Sequence, residues 1–131
     1  QMGIEALSRG AREAVFVEKN PAAARCIKRN LAFTRLEETG RLYTRDVMDF
    51  LQHPGGEEPF DLIFLDPPYD KGLEEKALAL LADGPLLAED ALIVVEASLQ
   101  TDFSYLDDLG YEQIRQKKYK TNQHVFITRG Q

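Results

Sequence analysis

The chain alternates between short, nearly continuous apolar runs and longer stretches with apolar residues on one helical face. Ala14-Val15-Phe16-Val17, Phe60 with Leu62 to Leu65, and Ala91-Leu92-Ile93-Val94-Val95 are runs of the first kind. Their pattern predicts strands buried on both faces, as in the middle of a parallel sheet. Between the first two, Asn20-Pro21 predicts a helix start, with Asn as N-cap and Pro at the first helical position. That helix runs to about Ala32, with Ala24, Cys26, Ile27 and Leu31 facing inward and Arg25, Lys28 and Arg29 outward. Ile4 to Arg9 predicts an earlier helix closed by Gly10. Arg41 to Arg45 predicts a strand, followed at Asp46 by a short helix with Val47, Phe50 and Leu51 apolar. His53 to Pro59 is a loop by composition.

Further along, Leu73 to Leu81 has the spacing of an amphipathic helix, and Phe103 to Leu109 that of a short helix stopped by Gly110. Tyr111 to Lys118 and Gln123 to Thr128 predict two strands joined around Tyr119 to Asn122. Strands alternating with helices imply an α/β fold, with a mainly parallel sheet covered on both faces. The last pair adds an antiparallel C-terminal hairpin. No repeat or linker interrupts the pattern, and 131 residues suffice for one domain spanning residues 1–131 but not comfortably for two.

Composition narrows this only modestly. Hydrophobic residues make up 44% and charged residues 29%, ordinary values for a globular protein. No apolar run reaches the length of a membrane span and no signal peptide is visible. The single cysteine, Cys26, excludes an internal disulfide and fits a reducing, cytoplasmic setting. Cys26, His53 and His124 have no partners by spacing, so no metal site is predicted and none of the three receives a chemical role. The net charge of −6 argues against a polyanionic partner until its distribution is considered. Residues 57–112 hold 15 acidic and 2 basic side chains, whereas residues 113–131 hold 5 basic and none acidic. Local potential rather than total charge steers encounter, so a basic face at the C-terminal end could still meet RNA.

The candidate chemistry lies where the second apolar run stops, at Asp66-Pro67-Pro68-Tyr69. Two prolines cannot extend a central strand, because neither has an N–H for the ladder. They hold a carboxylate and an aromatic ring on stiff, extended backbone. Ligands of open α/β sheets bind at the carboxyl ends of strands, and an acid beside a ring suits a flat, nitrogen-bearing base.

This tetrapeptide after a buried strand resembles the motif of S-adenosylmethionine-dependent amino-group methyltransferases. Ile4 to Ala11, then Val15-Phe16-Val17-Glu18, then Asp46 before Phe50-Leu51 extend the resemblance over nearly the whole chain. Together they look like the bacterial methyltransferases that modify guanine N2 in small-subunit (16S) rRNA. That resemblance implies a Rossmann-like class I methyltransferase fold and S-adenosylmethionine as cofactor. Glu18 would accept hydrogen bonds from the cofactor's ribose hydroxyls, with Lys19 beside it. Asp46 would receive the adenine amino group and the Val47 backbone would lie near the ring. Asp66, Pro67, Pro68 and Tyr69 would act on the target base, Tyr69 by stacking on it. Lys117, Lys118, Tyr119 and Lys120 resemble the family's basic hairpin turn and would contact RNA phosphates. The implied partner is rRNA or the small ribosomal subunit.

Without the resemblance, plainer readings stand beside each role. Glu18 and Asp46 are also placed to cap helices, Tyr69 could be a structural aromatic, and the lysines could protect an edge strand. The chain departs from the family pattern in two places. Lys120 stands where the family has Gly. Gly3 is the last trace of the family's Asp-x-Phe-x-Gly-x-Gly loop, and no strand precedes the first helix. The expectation is an N-terminally truncated domain lacking its first, central strand, which could itself be inactive. Two unpaired edges would then invite self-association, and cofactor binding would be weak. Two alternatives share these features: an adenine-N6 methyltransferase on DNA or RNA, and a non-catalytic Rossmann-like binding domain.

Overall fold

The computed structural model describes residues 14–67 and 72–130. They fall into two compact units, the first ending at Phe50 and the second beginning at Leu51. The helix expected over Ile4 to Arg9, with Gly3, lies outside the described residues.

The first unit is a strand–helix–strand unit with parallel strands. β1 (Ala14–Val17) and β2 (Gly40–Tyr43) pair from Ala14 opposite Gly40 to Val17 opposite Tyr43. The connecting helix, α1 (Pro21–Phe33), begins as the sequence predicts. The Asn20 side-chain oxygen accepts from the backbone N–H groups of Ala22 and Ala23, at 2.9 and 3.2 Å. Phe16 and Leu31 are buried, with Ala14, Ile27, Leu36 and Leu42 packed around them. Gly40 permits this close helix–strand approach, since a Cβ there would stand 2.6 Å from Leu31 Cδ2. Two expectations are corrected. Cys26 is exposed, because the inward stripe runs through Ala24, Ile27 and Leu31 and a residue two places from Ala24 is rotated about 200° away. β2 ends at Tyr43 instead of Arg45. Its last ladder bond is Glu18 N–H to Tyr43 C=O, after which Arg45 turns aside to pair with Asp49.

α2 (Val47–Gln52) follows, and the remaining elements belong to the second unit. These are β3 (Phe60–Leu65), α3 (Leu73–Asp83), β4 (Leu87–Ser98), a 3-10 turn (Asp107–Leu109), β5 (Tyr111–Lys118) and β6 (Asn122–Arg129). The sheet order is β3-β4-β6-β5. β3 and β4 are parallel, and β6 runs antiparallel to both β4 and β5. Among the described residues, every pairing that does not involve the C-terminal hairpin is therefore parallel. α3 packs against β4, and Leu78, Leu81, Ile93, Val95, Val125 and Ile127 are fully buried. The Tyr111 hydroxyl donates to the Leu78 carbonyl at 2.7 Å and ties the hairpin to α3.

Three further expectations change here. β3 is not buried on both faces: Asp61 is exposed and Leu62 is 52% exposed, because among the described residues β3 pairs only with β4. β4 is longer than the apolar run over Ala91 to Val95. Pairing with β6 carries its ladder through Ser98, opposite Asn122, and a register shift near Phe60 admits Leu87 at the other end. The helix expected over Phe103 to Leu109 is reduced to turns. Asp102 accepts from the Ser104 N–H, Leu106 and Leu109 each bond three residues back, and Gly110 at φ +84° ends the segment.

Candidate active site

In the first unit, the carboxyl ends of β1 and β2 place Glu18, Lys19 and Asp46 together. Glu18 directly follows β1 and is half-buried. Its carboxylate accepts from the Asn20 N–H at 3.1 Å. Two carboxylate oxygens offer about four acceptor sites, so this single bond leaves room for a pair of hydroxyls. Lys19 Nζ stands 3.4 Å from Asp46 Oδ2, linking the two strand ends through exposed side chains. Asp46 caps α2 with its other oxygen, 2.8 Å from the Met48 N–H and 3.4 Å from the Asp49 N–H. The Met48 bond above all holds its carboxyl below the usual carboxylate range. The capping role thus coexists with a carboxylate oxygen turned to the strand end. Val47 is the first residue of α2 and is half-buried.

In the second unit a row of polar side chains crosses the sheet. Asp66 follows β3, and since Leu65 pairs with Val95, Asp66 falls beside Glu96. Glu96 pairs with His124, and His124 pairs with Lys117. Residues in one register row point to the same face, and the contacts agree. The Asp66 carboxyl lies beside Glu96, which helps raise its pKa, and His124 Nε2 lies 3.2 Å from Glu96 Oε1. The Tyr119 ring meets the His124 ring edge-on at 4.9 Å, and Lys117 Nζ lies 5.4 Å over the Tyr119 ring. Phe64 packs against His124 from below, at 5.9 Å. Asp66 as a residue is exposed, but its carboxyl lies against this cluster. Partial burial first, and the neighbouring Glu96 second, raise its pKa.

A bulge at Ile114 creates this row. Gln113 pairs with Ile127 but Arg115 pairs with Phe126, so one extra residue sits on β5. The slip moves Lys117 opposite His124 rather than Gln123 and leaves Ile114 55% exposed. Beyond it, Lys118 pairs with Gln123, and Tyr119 N–H closes the hairpin onto Asn122 C=O at 2.8 Å. Lys120 is exposed in that turn, and Arg35 is the one non-glycine residue with positive φ among those described. The turn therefore accepts Lys120 where the family has Gly without left-handed backbone. Gln123, fully buried, is satisfied by Gln116 and by donating to the Ser98 carbonyl at 2.8 Å.

Of the residues the sequence singled out, Glu18, Lys19, Asp46 and Val47 gather at the carboxyl ends of β1 and β2. Asp66 and Pro67 follow β3, and Lys117, Lys118, Tyr119 and Lys120 form the hairpin end. Gly3, Pro68 and Tyr69 lie outside the described residues. Sequence pattern does not assign Glu96 and His124 to the site. The only signal is an apolar run ending in Glu96; the pairing with His124 depends on strand register, which local pattern does not reveal.

A family model described as "Conserved hypothetical protein 95" matches residues 1–128. The chain belongs to this family. The Haemophilus influenzae "Ribosomal RNA small subunit methyltransferase D" is 38% identical over 96 residues, covering 72% of this chain and 50% of that protein. The Escherichia coli K12 protein of the same name is 37% identical over 99 residues, covering 76% and 48%. The chain thus spans about half the length of these relatives. The resemblance to bacterial small-subunit rRNA methyltransferases is borne out. Among solved structures, a conserved hypothetical protein of Streptococcus pyogenes superposes with a TM-score of 0.86 at 29% identity, over 95% of this chain and 77% of that one. A ribosomal protein L11 methylase from Lactobacillus delbrueckii, 15% identical with a TM-score of 0.78 over 99% of this chain and 64% of that one, shares the fold. The architecture is that of class I methyltransferases. Among the described residues, no helix is long and apolar enough to cross a membrane.

Proposed function

We propose that the protein transfers a methyl group from S-adenosylmethionine to the exocyclic N2 of a guanine in small-subunit rRNA. The observation that carries this reading is the position of three acids. Glu18, Asp46 and Asp66 each follow the carboxyl end of a strand in a parallel pair, where α/β sheets bind ligands. The family relatives act as methyltransferases on small-subunit rRNA by name, and the acid–proline–proline–tyrosine motif matches that chemistry.

The cofactor's needs fit the residues present. Glu18 retains acceptor capacity for two hydroxyls, and Asp46 is held ionised by its backbone bonds, ready to accept from an amino group. When bound, S-adenosylmethionine supplies a methyl on a positively charged sulfur: the S–CH3 bond breaks as the N–CH3 bond forms, and the electron pair stays on sulfur as the neutral thioether. Asp66 accepts one N–H of the guanine amine and the Pro67 carbonyl accepts the other. This turns the nitrogen lone pair, otherwise delocalised into the ring, toward the methyl carbon. The amine proton leaves after transfer, to Asp66 or to solvent. Positioning in a site shielded from water supplies most of the rate gain. The base must be unstacked to enter, and Tyr69 is the ring proposed to receive it. Lys117, Lys118 and Lys120 are proposed to hold the flanking phosphates.

Full-length protein, labelled cofactor, and either protein-free 16S rRNA or assembled small subunits test this directly. Digestion to nucleosides should yield labelled N2-methylguanosine. Labelled N6-methyladenosine would move the assignment to the adenine reading, and no labelled product in either substrate would favour a non-catalytic binding domain.

A further inference from the structure

We propose that Glu96 and His124 are positioning residues for Asp66, forming a relay across the sheet that fixes its carboxyl and governs whether it accepts or donates at the target amine. The inference rests on the methyl-transfer reading of Asp66 and adds two residues that neither the motif nor the basic hairpin contains.

Geometry comes first. β3, β4 and β6 are adjacent strands, and their register sets Asp66, Glu96 and His124 side by side on one face. Asp66 stands beside Glu96, one step past the Leu65–Val95 pair, and Glu96 Oε1 lies 3.2 Å from His124 Nε2. His124 is itself fixed from two sides, by Phe64 at 5.9 Å and Tyr119 at 4.9 Å. Its ring therefore has little freedom to leave Glu96. The side chains of Glu96 and His124 are only 23% and 22% exposed, so their interaction is screened less than that of a surface pair.

The chemistry follows from the number of protons in the row. Two adjacent carboxyls oppose ionisation, so Glu96 favours a proton on Asp66. If that proton sits on Asp66 and points outward, Asp66 offers a donor to an amine that needs an acceptor. His124, 3.2 Å from Glu96, acts in the other direction and favours the ionised carboxyl of Asp66. Lys117, across from His124 and over the Tyr119 ring, adds positive potential at the far end of the row. Glu96, His124, Lys117 and Tyr119 are the titratable groups that face Asp66 from β4, β6, β5 and the hairpin turn among the described residues. Glu96 and His124 thus oppose each other in their effect on Asp66.

The test is the midpoint of Asp66 ionisation, read by carboxyl-carbon NMR in the full-length protein and in Glu96→Gln and His124→Gln. The midpoint should fall in Glu96→Gln and rise in His124→Gln, with His124→Lys returning it toward the original. The acidic limb of kcat/KM for RNA methylation should move in the same two directions. An Asp66 midpoint unmoved by both substitutions, or moved the same way by both, overturns the inference. Opposite shifts in a protein that methylates no RNA would leave the coupling standing and remove the functional reading instead.

Discussion

His124 Nε2 lies 3.2 Å from Glu96 Oε1, and the two residues face each other directly across β4 and β6. That pairing depends on strand order, since the residues are 28 positions apart. It places an imidazole ring behind the carboxyl that stands beside Asp66. The local consequence is a polar row that runs from Asp66 through Glu96 and His124 to Lys117.

At the hairpin end, Lys117, Lys118 and Lys120 lie on exposed backbone with no acidic residue between them. Replacing all three with Ala should weaken binding to rRNA at low salt. It should also flatten the dependence of log K on log salt by roughly 0.7–0.9 for each phosphate that is no longer neutralised. Filter binding across a salt series checks this. An unchanged slope would leave the lysines as edge-strand protection only.

Asn20 caps α1 through two backbone N–H groups. Asn20→Ala should therefore cost about 1 kcal/mol, measured as a lower midpoint in urea unfolding. Asn20→Asp should retain most of that stability.

Asp46 is held below the usual carboxylate range mainly by the Met48 N–H. A depressed folded-state pKa stabilises the fold above the unfolded value, about 3.9, and that contribution is lost as pH falls through the folded value. Asp46→Asn keeps a capping oxygen but cannot titrate. Between neutral pH and strong acid, the native protein should lose more stability than Asp46→Asn, and parallel acid-unfolding curves would contradict the cap.

The Tyr111 hydroxyl is buried, and burial pushes its pKa up to about 12. Its contribution is complete below the unfolded value of about 10 and is lost as pH rises through the folded value. Tyr111→Phe should cost about 1 kcal/mol at pH 7, because the Leu78 carbonyl still serves the α3 ladder. The difference should shrink above about pH 11 in denaturant titrations.

Much of this architecture was legible in local pattern. Asn20-Pro21 announces α1, the apolar runs mark β1, β3 and β4, and Gly110 stops the turn before β5. The motif at Asp66 marks the end of β3, and Glu18 and Asp46 lie just past β1 and β2. Edges and register were less readable. The run at Phe60 to Leu65 has the composition of a doubly buried strand, but composition does not record whether a neighbour is present, and Leu62 is exposed. Cys26 is apolar in character yet sits off the buried stripe of α1. The bulge at Ile114 has no glycine to betray it, so the row from Asp66 to Lys117 emerges only when the strands are paired.

In the proposed reaction Asp66 prepares the target amine for methyl transfer. Single-turnover methyl transfer to rRNA should fall by about 100-fold or more in Asp66→Ala, with cofactor affinity retained in calorimetry. Transfer at the native rate by Asp66→Ala, with the same nucleoside product, would contradict it.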